Sequence, residues 1–198
     1  MTDSDENSIE TGKRWRQWYG FAKKSNIAEE IAQLLSRVNQ DVSQKKPVCN
    51  ASGQCCDFKA YGHRLYVTGL EMAWVINRLG DKDVTSLNTA NNDTDRTAPE
   101  DAKVINSGGA AGDLALPQFS ELSALICPFQ IEGLCRIHEI RPMGCRLYFC
   151  DGSDDWQHER YEFYQSQIKK LHAIYDIDYA YMEWTVGLTQ ALRYKLDL

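Results

Sequence analysis

The sequence predicts an α+β fold: a mostly helical single domain with a few short strands, stapled by a cysteine-ligated metal site. Three observations carry this reading. Apolar residues recur at helical spacing near both ends of the chain, short apolar segments stand beside turn and capping signals, and all seven cysteines fall into two groups.

Residues 1–12 are polar and without periodicity, which predicts a disordered tail ahead of a domain spanning 13–198. Trp15, Trp18, Tyr19 and Ala22 then line one helical face. Ile27, Ile31, Leu34, Leu35 and Val38 form the stripe of a second helix, with Asn26 and Glu29 as a candidate capping box. After Lys45-Lys46-Pro47, the small residues of Cys49-Asn-Ala-Ser-Gly-Gln-Cys55-Cys56 suit a tight loop. His63–Val67 reads as a strand. Thr68 and Glu71 then make a capping box for a helix buried through Met72, Val75, Ile76 and Leu79.

Between about 81 and 116 the chain turns to Asn, Asp, Thr, Ser, Gly and Ala, a composition that buries too little surface to offset ordering, and a flexible insertion is expected there. Order is expected to return at Leu122–Ile126. Ile131-Glu-Gly-Leu134 predicts a hairpin displaying Cys127 on one strand and Cys135 on the other. Arg141-Pro-Met-Gly-Cys145 reads as a kinked loop. Asp154 and Gln157 would cap a helix faced by Tyr161, Tyr164, Ile168, Leu171 and Tyr175, followed by a strand at 179–184 and a last helix from Thr185 to about Leu196.

Charge narrows the function classes. Four net negative charges fall in residues 1–10 and four more in 81–116, so the remainder of this −6 chain is about two positive. That is far from the basic excess a phosphate-backbone surface needs, and no nucleic-acid partner is expected. No apolar run approaches a membrane span, and the acidic start is unlike a secretory signal, so a cytoplasmic protein without a membrane partner is expected.

An odd number of cysteines, two of them adjacent, argues against structural disulfides and for metal or redox chemistry. Their spacing, C-x5-C-C at 49–56 and C-x7-C-x9-C-x4-C at 127–150, excludes paired C-x2-C knuckles, both common ferredoxin runs and a thioredoxin-type C-x-x-C. There is also no nucleophile elbow, Walker loop, dinucleotide fingerprint or H-E-x-x-H helix.

The cysteine segments resemble the YkgJ-type cysteine-cluster family, whose members are described as zinc- or iron-chelating domains and often as iron-sulfur proteins. The resemblance lies in CNASGQCC at 49–56, LYVTGLEMAWVINRLG at 65–80, CPF at 127–129 and CRIHEIRPMGCRLYF at 135–149. It implies Cys49, Cys55, Cys56, Cys127, Cys135 and Cys145 as candidate ligands. Many relatives carry a further cysteine where this chain has Ser52; Cys150 has no clear counterpart in the family and stands as a possible further ligand. The cysteine motif is also similar to that of flagellin lysine-N-methylases, which keeps a methylase activity open by resemblance only.

Wide, irregular spacing suits an iron-sulfur cluster, here [4Fe-4S], better than zinc; mononuclear iron is a further option. Arg141 and Arg146 could offset the negative charge of a thiolate site, and His138 is either a further ligand or a supporting residue. The expected role is electron transfer, redox sensing or support of a reaction, with a redox or other protein partner. The rival readings are a structural zinc module acting as a protein-interaction scaffold and a metal-trafficking protein.

Overall fold

The computed structural model describes residues 3–48, 52–79, 126–131, 133–149 and 154–195. The expected insertion at 81–116 lies outside these residues, as do Cys49 and Cys150. The described chain is mostly helical, with four short strands.

Two 21-residue helices open it, α1 (Asp3–Lys23) and α2 (Ser25–Lys45). The helix from Asp3 replaces the disordered tail expected over 1–12. Farther along, Gly12 packs so closely on Tyr194 that a Cβ would meet the ring at 3.1 Å. α2 buries the expected Ile27, Ile31, Leu34, Leu35 and Val38. Its cap corrects the sequence reading: Lys24 is the N-cap, without a side-chain bond, so Asn26 and Glu29 already lie inside the helix.

A 3₁₀ turn (Gln54–Cys56) and the four-residue α3 (Phe58–Tyr61) lead to β1 (Tyr66–Thr68), which is shorter and later than the predicted strand. The central α4 (Gly69–Ile76) has the expected capping box at Thr68 and Glu71, and every one of its residues is buried. It packs against α1 so tightly that a Cβ on Gly69 would lie 2.4 Å from the Trp18 ring. That contact is open only to glycine.

The predicted hairpin is present as β2 (Gln130–Ile131) and β3 (Leu134–Cys135), turning through Gly133 at φ +79°. Cys127 lies ahead of β2 rather than on it, in a turn closed by the Gln130 N–H on the Cys127 carbonyl. The segment expected as a kinked loop is a short helix, α5 (Met143–Leu147), with Pro142 at its N-cap. Proline is well suited to a helix start, where no N–H is required of it.

α6 (Asp154–Ile174) runs antiparallel to α2, joined to it by Tyr164 and Arg160 at Asp41 and by Tyr175 at Glu30. Its Gln157 does not cap the helix; the amide bonds both backbone groups of Phe149. β4 (Tyr181–Glu183) pairs antiparallel with β1, Val67 opposite Met182, and α7 (Trp184–Lys195) closes the chain. One core joins Trp15, Trp18, Tyr19, Met72, Ile76 and Trp184.

Candidate metal centre

Four short segments bring five cysteines to one small cavity. The 3₁₀ turn supplies Cys55 and Cys56, the turn before β2 supplies Cys127, β3 supplies Cys135 and α5 supplies Cys145. Phe58, Leu65, Ile137, Arg141, Tyr148 and Trp184 complete the wall.

Backbone and amide bonds hold these segments together. The Cys127 N–H donates to the Cys56 carbonyl at 2.7 Å, joining the two cysteine groups directly. The Gln130 Nε2 donates to the Gly53 carbonyl at 2.9 Å. Gly53 has φ +73°, and a Cβ there would stand 2.3 Å from that amide nitrogen, so the turn that presents Cys55 and Cys56 needs glycine on both counts.

Cys145 is fixed from two sides. Buried Glu71 accepts at Oε2 from the Thr68 N–H and hydroxyl and at Oε1 from the Met143 N–H, so one carboxylate caps α4 and anchors the start of α5. Burial pushes its pKa up, opposed by these hydrogen bonds and by Arg146. Arg146 is 4% exposed and spends its donors on the Arg141 carbonyl, the Glu139 carbonyl and the Asn39 side chain. It shapes the loop before α5.

The thiols interact with one another. The Cys56 sulfur lies 3.8 Å from that of Cys55, within hydrogen-bond reach, and its neighbours Cys127, Cys135 and Cys55 push its own pKa up. The same neighbourhood favours thiolates on the others: Cys55 falls to about 6, Cys135 to about 7, and Cys127 also falls. Arg141 assists at Cys55 and Cys135 through its positive charge. Burial pushes the Cys145 pKa well up, and the neighbouring Cys127 and Cys135 add to the rise.

Trp184 is a participant that sequence reading assigned only to the aromatic C-terminal part. It is 1% exposed, and its indole Nε1 has no well-formed hydrogen bond. Trp184 lines the cavity beside Cys127 and contributes to lowering that thiol's pKa. An indole N–H is a donor without acceptor capacity, so its natural counterpart here is a thiolate or another electron-rich group. Nothing in the local sequence marks it, because the contact comes from the fold.

His63 is also closer to the site than its sequence suggests. It stacks on Tyr148 at 4.4 Å, and its Nε2 lies 3.3 Å from the Cys55 carbonyl. His138 is outside the thiol cavity, with an exposed side chain beside Glu139. Among the described residues, no group of three or more His, Cys, Asp or Glu side chains stands in metal-holding geometry. The sulfurs share a cavity, with Cys55 and Cys56 in contact with each other.

No helix among the described residues is long and apolar enough to cross a membrane. No family model, curated protein or solved structure matches the chain.

Proposed function

We propose that this protein holds a metal centre through thiolates drawn from Cys55, Cys56, Cys127, Cys135 and Cys145, and that the centre is a [4Fe-4S] cluster. Cys49 remains a candidate ligand from the sequence motif. The observation that carries the reading is five thiols lining one cavity with the unbonded indole N–H of Trp184 beside them. This donor set fits the group: soft sulfur ligands in number, a positive Arg141, and a buried N–H for a sulfur to accept. A cluster would supply one-electron chemistry. The protein's own residues would set its ligands, its charge and its shielding from water, in a cytosolic role of electron transfer, redox sensing or reaction support with a protein redox partner.

A second reading is favoured by the size of the cavity, about 20 Å³, roughly the space of one water. A single zinc ion fits that space with less rearrangement than a cubane, and would make the centre a structural staple.

Anaerobic purification followed by an absorption spectrum and iron, sulfide and zinc assays on one sample tests both. Near-equal iron and sulfide, with a broad band that bleaches under dithionite, is the expected result. A colourless protein with stoichiometric zinc replaces the cluster by the staple. Absence of all three metals and sulfide overturns both readings.

A further inference from the structure

Beside the thiol cavity lies a second, wider groove of about 660 Å³, within the roughly 300–1,000 Å³ of small-molecule sites. The two share Cys55, Cys135, Arg141 and Tyr148, so the floor of the groove is the outer wall of the thiol set. We propose that this groove binds a small organic oxyanion, a carboxylate or phosphate ester with a compact apolar body, with its charged end at Arg141.

The charge of the groove supports an anion. Lys46, Arg141 and Arg146 line it together with His138, and none of its described lining residues is acidic, although the whole chain has a net charge of −6. Arg146 is committed to Asn39 and two carbonyls and offers little to a ligand. Arg141 differs. Its Nε is buried without a hydrogen-bond partner, and no carboxylate among the described residues forms an ion pair with it. A guanidinium on the groove wall that no carboxylate engages retains the donor fork that matches a carboxylate or phosphate edge.

The walls support an apolar body on that anion. Val48 and Leu134 are each 59% exposed and line the groove with Pro47 and Phe149. A bare inorganic ion would leave this apolar surface wet, whereas an aryl or alkyl oxyanion would cover it. Occupancy would place the ligand against Cys55 and Cys135. The inference stands on the groove itself and holds whichever metal the thiols carry.

Calorimetric titration of the purified full-length protein with benzoate, phenyl phosphate, inorganic phosphate and benzyl alcohol tests it, with circular dichroism and metal content recorded on each sample. Benzoate or phenyl phosphate is expected to saturate a single site more tightly than inorganic phosphate or benzyl alcohol, and the tighter of the two identifies the oxyanion. Arg141→Gln should weaken that binding about tenfold, as expected for loss of a charge-assisted hydrogen bond. Leu134→Glu places a like charge on an exposed wall position and should weaken it similarly; it decides the matter if Arg141→Gln unfolds or loses metal. No saturation by either aryl oxyanion, equal binding of benzyl alcohol, or unchanged binding by Leu134→Glu overturns the proposal.

Discussion

The helical body and the thiol cavity are built on opposite principles. In the body, Trp15, Trp18 and Trp74 are buried with their indole N–H groups on acceptors, at the Gln190 side chain, the Asp178 carbonyl and the Ala28 carbonyl. Around the thiols, the elements are a 3₁₀ turn, two-residue strands and a five-residue helix, and the indole N–H of Trp184 has no such acceptor. Apolar burial accounts for the first region on its own terms. The second is held by a few backbone ties and the bonds of Glu71 and Arg146, and it leaves a buried indole N–H without an acceptor.

Disabling the sulfur side should have the largest effect on composition. Cys135→Ser or Cys145→Ser is expected to abolish bound metal while far-ultraviolet circular dichroism stays near that of the parent; full metal occupancy in both variants would break the assignment. On the other side, Trp15→Ala should cost about 3–5 kcal/mol in urea unfolding, the usual penalty for emptying a fully buried aromatic site. A cost below about 1 kcal/mol would show that the helical body is not the stable half.

Glu71→Ala acts on both regions, because it strips acceptors from the Thr68 and Met143 N–H groups in the buried interior. A loss of about 1–3 kcal/mol is expected, with metal affinity falling in the same variant. A stability loss without any change in metal affinity would separate the two regions.

The smallest expected effect is a pH dependence confined to the helical body. His172 is buried with Nδ1 at the Ile177 carbonyl and Nε2 unpartnered, and desolvation lowers its pKa below 6.5. The unfolded chain therefore takes up this proton first. The stability His172 contributes is intact above about pH 6.5 and is lost as pH falls toward its depressed folded value. His172→Gln should flatten that part of the unfolding midpoint against pH, leaving metal content alone. An unchanged slope would remove His172 from the acid response.

Periodicity made the helical body legible. The stripes of α2 and α6, the Thr68–Glu71 box and the turn at Gly133 are local patterns that the chain satisfies locally. The errors fall where tertiary contacts choose. A polar start continues as helix to Asp3, and Arg141-Pro-Met-Gly-Cys145 ends in a helical turn because Glu71 caps it from a distant element. For the candidate site, two cysteine groups far apart in sequence pointed to shared chemistry, the family resemblance named six of their thiols, and the structure places five of those, Cys55, Cys56, Cys127, Cys135 and Cys145, around one cavity. Trp184, His63 and Lys46 could not be read this way, because each reaches the site through folding rather than through a motif.

Glu71 has a further consequence in terms of linkage. Because the same carboxylate holds the starts of α4 and α5, releasing the Cys145 helix would strand a buried acceptor in the middle of the core. Anything that binds the thiols only in the folded state therefore raises the unfolding free energy of the interior helix as well, by about 2.7 kcal/mol at a hundredfold excess over its dissociation constant. Metal loading should thus be visible at Trp74, on α4, as a higher melting temperature.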